Sequence, residues 1–304
     1  MQEARDTGRD GGGCRGVGTR TLVVENGSSQ VQESTHAEEG YVSYGRKRID
    51  LGGVLVDAVS LSQAAERIQG FVDAHQLTGA CHQVVTVNLD FLSLARQDAG
   101  FRDALNHADL AVPDGMPLVW LSRLTGEPLA ERVTGVALVD ESCRLAALTG
   151  RGVFLLGAAP GVADAAGHEL QRRFPGLRIA GTYAPRVGPL SVRENDDILD
   201  LVRRSAPDFL FVALGAPRQD LWIREHLPRL GVAVAMGVGC VFDVLAGVVG
   251  RAPTWMQQAG LEWAYRLQHE PRRLWRRYLV DDTRTLGHLV VSTARLARSA
   301  ASAS

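Results

Sequence analysis

Residues 209–219 read Phe-Leu-Phe-Val-Ala-Leu-Gly-Ala-Pro-Arg-Gln, an uninterrupted apolar run that leads directly into a glycine turn. A short run of this kind is typical of a strand buried on both faces, because a half-exposed strand would alternate apolar and polar residues. Gly215 and Pro217 end the strand, and the amphipathic residues 217–228 predict a helix after it. The stretch therefore predicts one β-α unit of a parallel sheet.

Outward from this unit, short apolar runs alternate with longer amphipathic ones, which is the pattern of a parallel sheet covered by helices on both faces. We therefore predict an α/β fold with a Rossmann-like open parallel sheet, preceded by a short strand or hairpin at residues 51–57 and a helix that starts near residue 61. The predicted strands are 83–88, 109–113, 152–157, 177–182, 209–214 and 232–238, and the predicted helices are 90–106, 116–124, 136–149, 160–173, 194–204 and 217–228.

The composition changes twice along the chain. Residues 1–47 are rich in Gly, Ser, Glu and Arg and predict a disordered tail, because they contain too few apolar residues to offset the entropy of ordering. Residues 48–253 form the predicted α/β catalytic domain. Residues 254–304 predict a helical appendage that Pro271 interrupts, and this appendage is locally basic, with arginines at 266, 272, 273, 276, 277 and 284.

The whole-chain composition excludes several classes of protein. With 33 basic and 34 acidic residues the net charge is −1, so no overall field attracts nucleic acid. The four cysteines are far apart and predict neither a metal site nor a disulfide framework. The N-terminus lacks the apolar segment of a secretory signal, and no run of 18 apolar residues spans a membrane. We expect a cytoplasmic protein whose membrane contact, if any, is peripheral.

Polar and glycine residues gather just after the predicted strands, and in an open parallel sheet that edge is the ligand crevice. Glycines there permit tight turns, and the helix N-termini that follow present N–H groups to anions such as a diphosphate. For any single loop, a simple chain turn is the better interpretation; several loops together favour a binding site. The glycines concerned are Gly157, Gly161, Gly215, Gly237 and Gly239.

The sequence argues against three common classes of enzyme that bind nucleotides. Residues 237–242 approach the dinucleotide fingerprint but lack its third glycine and come late in the chain, which argues against an NAD-dependent oxidoreductase. A Walker lysine loop is absent, and so is any Asp-x-Asp triplet for a divalent cation. Neither a metal nor a cofactor is predicted, so arginines and backbone N–H groups must neutralise a bound diphosphate.

Asp114 is the candidate base, because the Pro-Asp-Gly turn at a strand end aims a carboxylate into the crevice; taken alone, a turn or helix cap is the more common role of such an aspartate. Thr86 and Asn88 share one face of their strand and can bind substrate or cap a helix. Arg132 can hold phosphate or form a surface salt bridge.

Further candidates lie at two later strand ends. Gln219 stands where a helix begins. Asp243 can bind a ribose hydroxyl or the base, or it can cap a helix. Glu262 can lock the structure by pairing with an arginine of the appendage.

The ordered motifs resemble the WecG/TagA/CpsF family of bacterial glycosyltransferases over about residues 48–280. They are Thr-x-Asn at 86–88, Pro-Asp-Gly at 113–115, Arg-Val-Thr-Gly at 132–135, Gly-Ala-Pro-Arg-Gln at 215–219, Gly-Val-Gly-x-x-Phe-Asp at 237–243 and Gly-Leu-Glu-Trp-x-Tyr-Arg-Leu at 260–267.

The resemblance implies an inverting, metal-independent transfer of an N-acetylmannosamine-type sugar. The donor would be a UDP-sugar and the acceptor an undecaprenyl-diphosphate-linked N-acetylglucosamine, in the synthesis of teichoic acid or another cell-surface polysaccharide. On the family pattern Asp114 is the base and Asp243 a donor-side residue, while Thr86, Asn88, Arg132 and Gln219 are polar residues of the active site.

The resemblance also implies that the appendage closes the site at the anionic inner face of the cell membrane, with Arg272, Arg273 and Arg276 as substrate-binding candidates. Asp220 departs from the family, which more usually has Glu after the glutamine. A non-catalytic UDP-sugar-binding protein remains the alternative outside the enzymes. Bodies of this kind often self-associate, which makes a homo-oligomer a further expectation.

Overall fold

The computed structural model describes residues 46–124, 126–258, 260–269 and 271–290. They belong to one unit that spans Gly45–Ser304. The predicted tail, except for its last two residues, and residues 291–304 of the predicted appendage lie outside the described part of the chain.

Eight strands are present in the described residues. They are β1 Arg48–Asp50, β2 Leu55–Asp57, β3 His82–Val87, β4 Leu110–Pro113, β5 Gly152–Gly157, β6 Arg178–Tyr183, β7 Phe209–Ala213 and β8 Val234–Gly237. Six parallel strands form the central sheet, in the spatial order β4-β3-β8-β7-β5-β6, and all six predicted strands are confirmed within two residues at each end. An antiparallel hairpin of β1 and β2 precedes the sheet; it begins three residues before the strand or hairpin expected at residues 51–57.

Strand β7 shows why the apolar runs are uninterrupted. Phe209 and Phe211 belong to one hydrophobic cluster, whereas Leu210 and Val212 belong to another on the opposite face of the sheet. Successive side chains of a strand point to opposite faces, so a strand with helices on both faces needs an apolar residue at every position. The predicted α/β architecture is therefore confirmed.

The helices of the sheet domain begin and end at recognisable signals. Ser60 caps the first helix in a capping box with Gln63, and Gly79 ends it with a φ of 73°. The helices are α1 Leu61–Thr78, α2 Leu89–Gln97, α3 Ala99–Asn106, α4 Met116–Leu124, α5 Gly135–Thr149, α6 Val162–Arg173, α7 Val192–Ser205, α8 Arg218–Leu230 and α9 Val241–Leu245.

The helix predicted over residues 90–106 is two helices. Asp98 has an extended backbone, and its side chain accepts a hydrogen bond from the Phe101 nitrogen at 3.0 Å, so it caps α3. The break lets Phe91 of α2 pack against Phe101 of α3, with 5.4 Å between the ring centroids. Both rings are buried against the sheet.

Buried Asp57 ties the hairpin to the sheet. Its carboxylate pairs with Arg46 and Arg67 at 2.8 and 2.9 Å, and it accepts from the Ala111 nitrogen of β4 at 2.8 Å. Removing a buried carboxylate with these partners would leave arginines uncompensated, so this cluster is structural.

Residues after β8 form a series of short helices, and Pro271 is the first residue of one of them, where a proline is tolerated. Leu289 is buried in the same hydrophobic cluster as Ile49 and Leu51, which ties the end of the described chain to the hairpin. Among the described residues, no helix is long and apolar enough to cross a membrane. The helices are α10 Thr254–Gln258, α11 Glu262–His269 and α12 Pro271–Arg276, followed by the π-helical turn Arg277–Asp282 and helical residues 283–290.

Candidate active site

A cavity of about 370 Å³ lies at the carboxyl ends of β3, β4, β7 and β8. Its position at this edge agrees with the crevice expected from the strand ends. Two predicted glycines and most of the predicted polar residues meet there, together with two residues of α11. The residues that matter below are Thr86, Asn88, Asp114, Gly215, Gln219, Gly239, Cys240, Asp243, Arg251, Glu262 and Arg266.

Asp114 follows β4 directly and is half-buried in this cavity. Its backbone nitrogen donates to the Val87 carbonyl at 2.7 Å, which extends the pairing of β3 and β4 by one residue. Its Oδ2 accepts from the Gly135 nitrogen at 3.2 Å, at the start of α5. One hydrogen bond therefore holds the Asp114 backbone and another orients its side chain.

The pKa of Asp114 is raised to about 6, mainly because the carboxyl is removed from water. The Gly135 hydrogen bond opposes that rise. Glu262 raises the pKa further, whereas the positive charges of Arg266 and Arg132 lower it. A carboxylate with this pKa is basic enough to accept a proton and is still mostly ionised near neutral pH.

Glu262 links the body of the protein to α11. One carboxylate oxygen lies 3.4 Å from Arg132 and the other 3.2 Å from Arg266. Arg266 also donates to the Cys240 sulfur at 3.2 Å. The expected pairing of Glu262 with an appendage arginine is thus present, and Arg132 of the body is a second partner.

Thr86 and Asn88 line the cavity from the end of β3. Thr86 is buried. The Asn88 side-chain oxygen accepts from the Phe91 nitrogen at 3.1 Å and so caps α2. Of the two roles expected for Asn88, helix capping is present in the structure. The residue also lines the cavity, so substrate binding stays a prediction.

Gln219 connects two of the glycine loops. Its side-chain Oε1 accepts from the Gly215 nitrogen at 3.2 Å and from the Gly239 nitrogen at 3.1 Å. These two backbone N–H groups were expected to donate hydrogen bonds to a diphosphate, but in the structure they donate to a side chain of the protein itself. Gly215 and Gly239 still line the cavity.

The other three predicted glycines are not among the residues that line this cavity. A Cβ on Gly157 would lie 2.4 Å from the backbone oxygen of Ala213, so Gly157 permits two strands to approach closely. Gly161 has a φ of 81° at the start of α6. A Cβ on Gly237 would meet the side chains of Gln219 and Asp220.

Arg272 and Arg276, two of the predicted appendage arginines, are not among the residues that line the cavity. Arg272 and Arg276 are exposed on α12, and the side chain of Arg273 is outside the described part of the protein. Arg266 enters the cavity instead, and Arg251 lines it as well. The sequence did contain one signal for Arg266, because it stands four residues after Glu262 and the two side chains therefore share one face of a helix. The sequence does not show that this face meets the crevice, because that depends on how the helix packs.

Asp243 lies in α9 and lines the cavity. Its expected role on the side of the sugar donor stays a prediction. Among the described residues, no group of three or more His, Cys, Asp or Glu side chains is arranged to hold a metal ion. The cationic side chains among the described lining residues are Arg251 and Arg266, and Glu262 pairs with Arg266.

Comparison with known proteins agrees with the motifs. A model of the WecG/TagA/CpsF glycosyl transferase family matches residues 49–299. Proteins from Staphylococcus aureus strains MW2, NCTC 8325 and MRSA252 are each 32% identical to this chain over 229 residues, which is 75% of this chain and 87% of each relative. Each is named an N-acetylglucosaminyldiphosphoundecaprenol N-acetyl-beta-D-mannosaminyltransferase. This chain therefore belongs to the WecG/TagA/CpsF family of glycosyltransferases.

Proposed function

We propose that the protein transfers an N-acetylmannosamine-type sugar from UDP to an undecaprenyl-diphosphate-linked N-acetylglucosamine. The staphylococcal relatives name that sugar and that acceptor, and the UDP donor follows from the family resemblance. The observation that carries the proposal is Asp114, a half-buried carboxylate with a pKa of about 6 inside the crevice.

Asp114 acts as the general base. It accepts the proton of the acceptor hydroxyl while that oxygen attacks the anomeric carbon, and the bond from this carbon to the UDP oxygen breaks. Attack on the face opposite the leaving group inverts the anomeric configuration. The hydrogen bond from Gly135 holds the carboxylate in one orientation, which keeps its basic oxygen aimed at the acceptor.

The departing diphosphate needs positive charge, and two arginines supply it. Arg132 and Arg266 both bind Glu262, and Glu262 and Arg266 line the cavity. A diphosphate can share these guanidinium groups or replace the glutamate on them, since guanidinium binds phosphate and carboxylate in the same geometry. Asp243 faces the same cavity and is the candidate for binding the nucleoside.

Asp114→Asn tests the proposal. The amide keeps the shape of the side chain but cannot accept the proton, so we expect transfer to fall by roughly 10²- to 10⁴-fold. The affinity for UDP, measured by calorimetry, should change little. Transfer is measured with UDP-N-acetylmannosamine and a polyprenyl-diphosphate N-acetylglucosamine acceptor.

Asp208→Asn is the matched control, because Asp208 lies at the opposite end of β7, where it pairs with Arg151 at 2.8 Å. It should leave both readouts unchanged in the folded protein. Undiminished turnover in Asp114→Asn would refute the assigned base. If the unaltered protein binds UDP but transfers no sugar from any UDP-sugar of a donor panel, the protein is a binding protein rather than the proposed transferase.

A further inference from the structure

The Gln219 amide is held at its oxygen end by two loops. Its Oε1 accepts one N–H group from the loop after β7 and one from the loop after β8, at Gly215 and Gly239. Because both donors meet the oxygen, the amide nitrogen must point away from them. Gln219 is buried, so its Nε2 needs an acceptor inside the protein.

The nitrogen end of the same amide faces Gly237 and Asp220. A Cβ built on Gly237 would lie 2.7 Å from Gln219 Nε2 and 2.4 Å from Asp220 Oδ1. Both polar atoms therefore crowd against the same point on β8, and only a residue without a side chain leaves room for them. This explains why glycine stands at position 237, although it does not line the cavity.

Asp220 is completely buried and takes no part in the chemistry described above. Its backbone oxygen accepts from Gln83 Nε2 at 2.9 Å, which ties the start of α8 to β3. Among the described residues neither carboxyl oxygen meets a donor in good hydrogen-bond geometry. The amide of Gln219 is nevertheless close enough to lower the pKa of this carboxyl, against a larger rise caused by burial.

We propose that Asp220 is a positioning residue that acts through Gln219: its carboxyl attracts the amide nitrogen and so fixes the amide with its oxygen toward the two glycine loops. In the flipped amide, Nε2 would face two N–H donors and Oε1 would face a carboxyl. Both ends therefore favour one orientation. In this way a residue outside the cavity sets the spacing of the two loops that line it.

The competing interpretation is that Asp220 merely places a negative charge in the first turn of α8, where it interacts with the helix dipole. That role is independent of the Gln219 side chain. The two interpretations therefore differ in what Gln219 does when Asp220 is changed.

The direct test follows the side-chain amide protons of Gln219 by NMR in the full chain, with Gln219→Leu to assign them. In the unaltered protein we expect slow exchange with water. Asp220→Leu removes the acceptor at similar size and should accelerate exchange at least tenfold, whereas Asp220→Asn keeps an acceptor oxygen and should largely restore protection. Exchange in Asp220→Leu equal to that of the unaltered protein would overturn the inference.

A double-mutant cycle on UDP affinity tests the consequence, which rests on the proposed function. Asp220→Leu should weaken UDP binding by roughly tenfold, the effect of one lost hydrogen bond to a charged group. In a Gln219→Leu background the same change should have no further effect. Additive losses would refute action through Gln219.

Asp208→Asn again serves as the control, since Asp208 is a partly buried acid at the other end of the sheet. If the leucine variant does not fold, the cycle is repeated with Asp220→Ala, which also lacks an acceptor. If the unaltered protein binds no UDP, the proposed function fails. The exchange measurement still decides whether Asp220 positions Gln219.

Discussion

Asp114 lies between groups that act on its carboxyl in opposite directions. Loss of water and the charge of Glu262 raise its pKa, whereas the Gly135 hydrogen bond and the two arginines lower it, and the result is about 6. The two arginines are themselves held by Glu262. Glu262 therefore affects the base both through its own charge and through the arginines that it binds.

We predict that kcat/KM falls as the pH drops through about 6, because only the ionised Asp114 accepts a proton. Glu262→Gln removes a negative charge near the base, so the acidic limb should move to lower pH. The pH dependence of transfer checks this. Glu169→Gln on α6 is the control, because Glu169 pairs with Arg172 and Arg173 and is not among the charges that shift the Asp114 pKa; it should leave the limb in place. An unmoved limb in Glu262→Gln would contradict the coupling.

Asp220 has a second consequence, for stability. Burial raises its pKa from 3.8 to about 7 in the folded protein. Between those values the folded protein holds a proton that the unfolded chain has released, so the free energy of unfolding should decrease as the pH rises from about 4 to about 7, by at most roughly 4 kcal/mol. Urea unfolding of Asp220→Asn across this range should show a weaker pH dependence, and an unchanged slope would count against the buried acid.

At the scale of strands and helices, Gly157 is required for packing and does not line the active-site cavity. It was expected at the site because it stands at the carboxyl end of a predicted strand, but a Cβ at this position would meet the backbone of Ala213. Its φ of 113° also favours glycine. Its role in the structure is to allow close packing.

We therefore expect Gly157→Ala to lower the free energy of unfolding by at least about 2 kcal/mol, because the new Cβ meets backbone that cannot move aside. Gly70→Ala is the control, since Gly70 lies within α1 with open space around it; it should be neutral or stabilise by roughly 0.5–1 kcal/mol. Denaturant unfolding measures both, and equal stabilities would contradict this account.

The strands were predictable from sequence because burial on both faces leaves a local signature, as at residues 152–157. The break at Asp98 was missed because residues 90–106 keep helical periodicity through it, while the cap depends on one local hydrogen bond. The meeting of Thr86, Asp114 and Gln219 in one cavity could be predicted, because each lies at or just after the carboxyl end of a parallel strand. The position of Arg266 in the cavity could not be predicted, because α11 packs against the body through contacts between residues more than a hundred positions apart.

At the scale of the whole molecule, the appendage presents apolar and basic groups together. Trp263, Trp275 and Leu279 are exposed large hydrophobic residues, and Arg272 and Arg276 are exposed on α12. Aromatic and cationic side chains on one segment favour the interface of an anionic bilayer. We therefore propose that the protein binds peripherally to an anionic membrane through this segment.

The double variant Arg272→Glu/Arg276→Glu should weaken binding to vesicles that contain phosphatidylglycerol by roughly tenfold or more, since each arginine near such a surface contributes about 1 kcal/mol. Binding to neutral phosphatidylcholine vesicles should not change. Arg203→Glu/Arg204→Glu reverses two exposed arginines on α7 and serves as the control in a sedimentation assay. Equal losses in both double variants would assign the effect to net charge alone.

The order of the sheet also determines the order in which the site can be assembled during synthesis. Strand β8 is the last of the six in sequence, yet it pairs with β3 on one side and β7 on the other. Before residues 234–237 are translated, the chain therefore lacks the strand that joins β3 and β4 to β5, β6 and β7. Asp114 follows one of these groups of strands and Gln219 the other, while Asp243, Glu262 and Arg266 come later in the chain than β8. We therefore expect a chain that ends before β8 to contain Asp114 and Gln219 without a crevice between them.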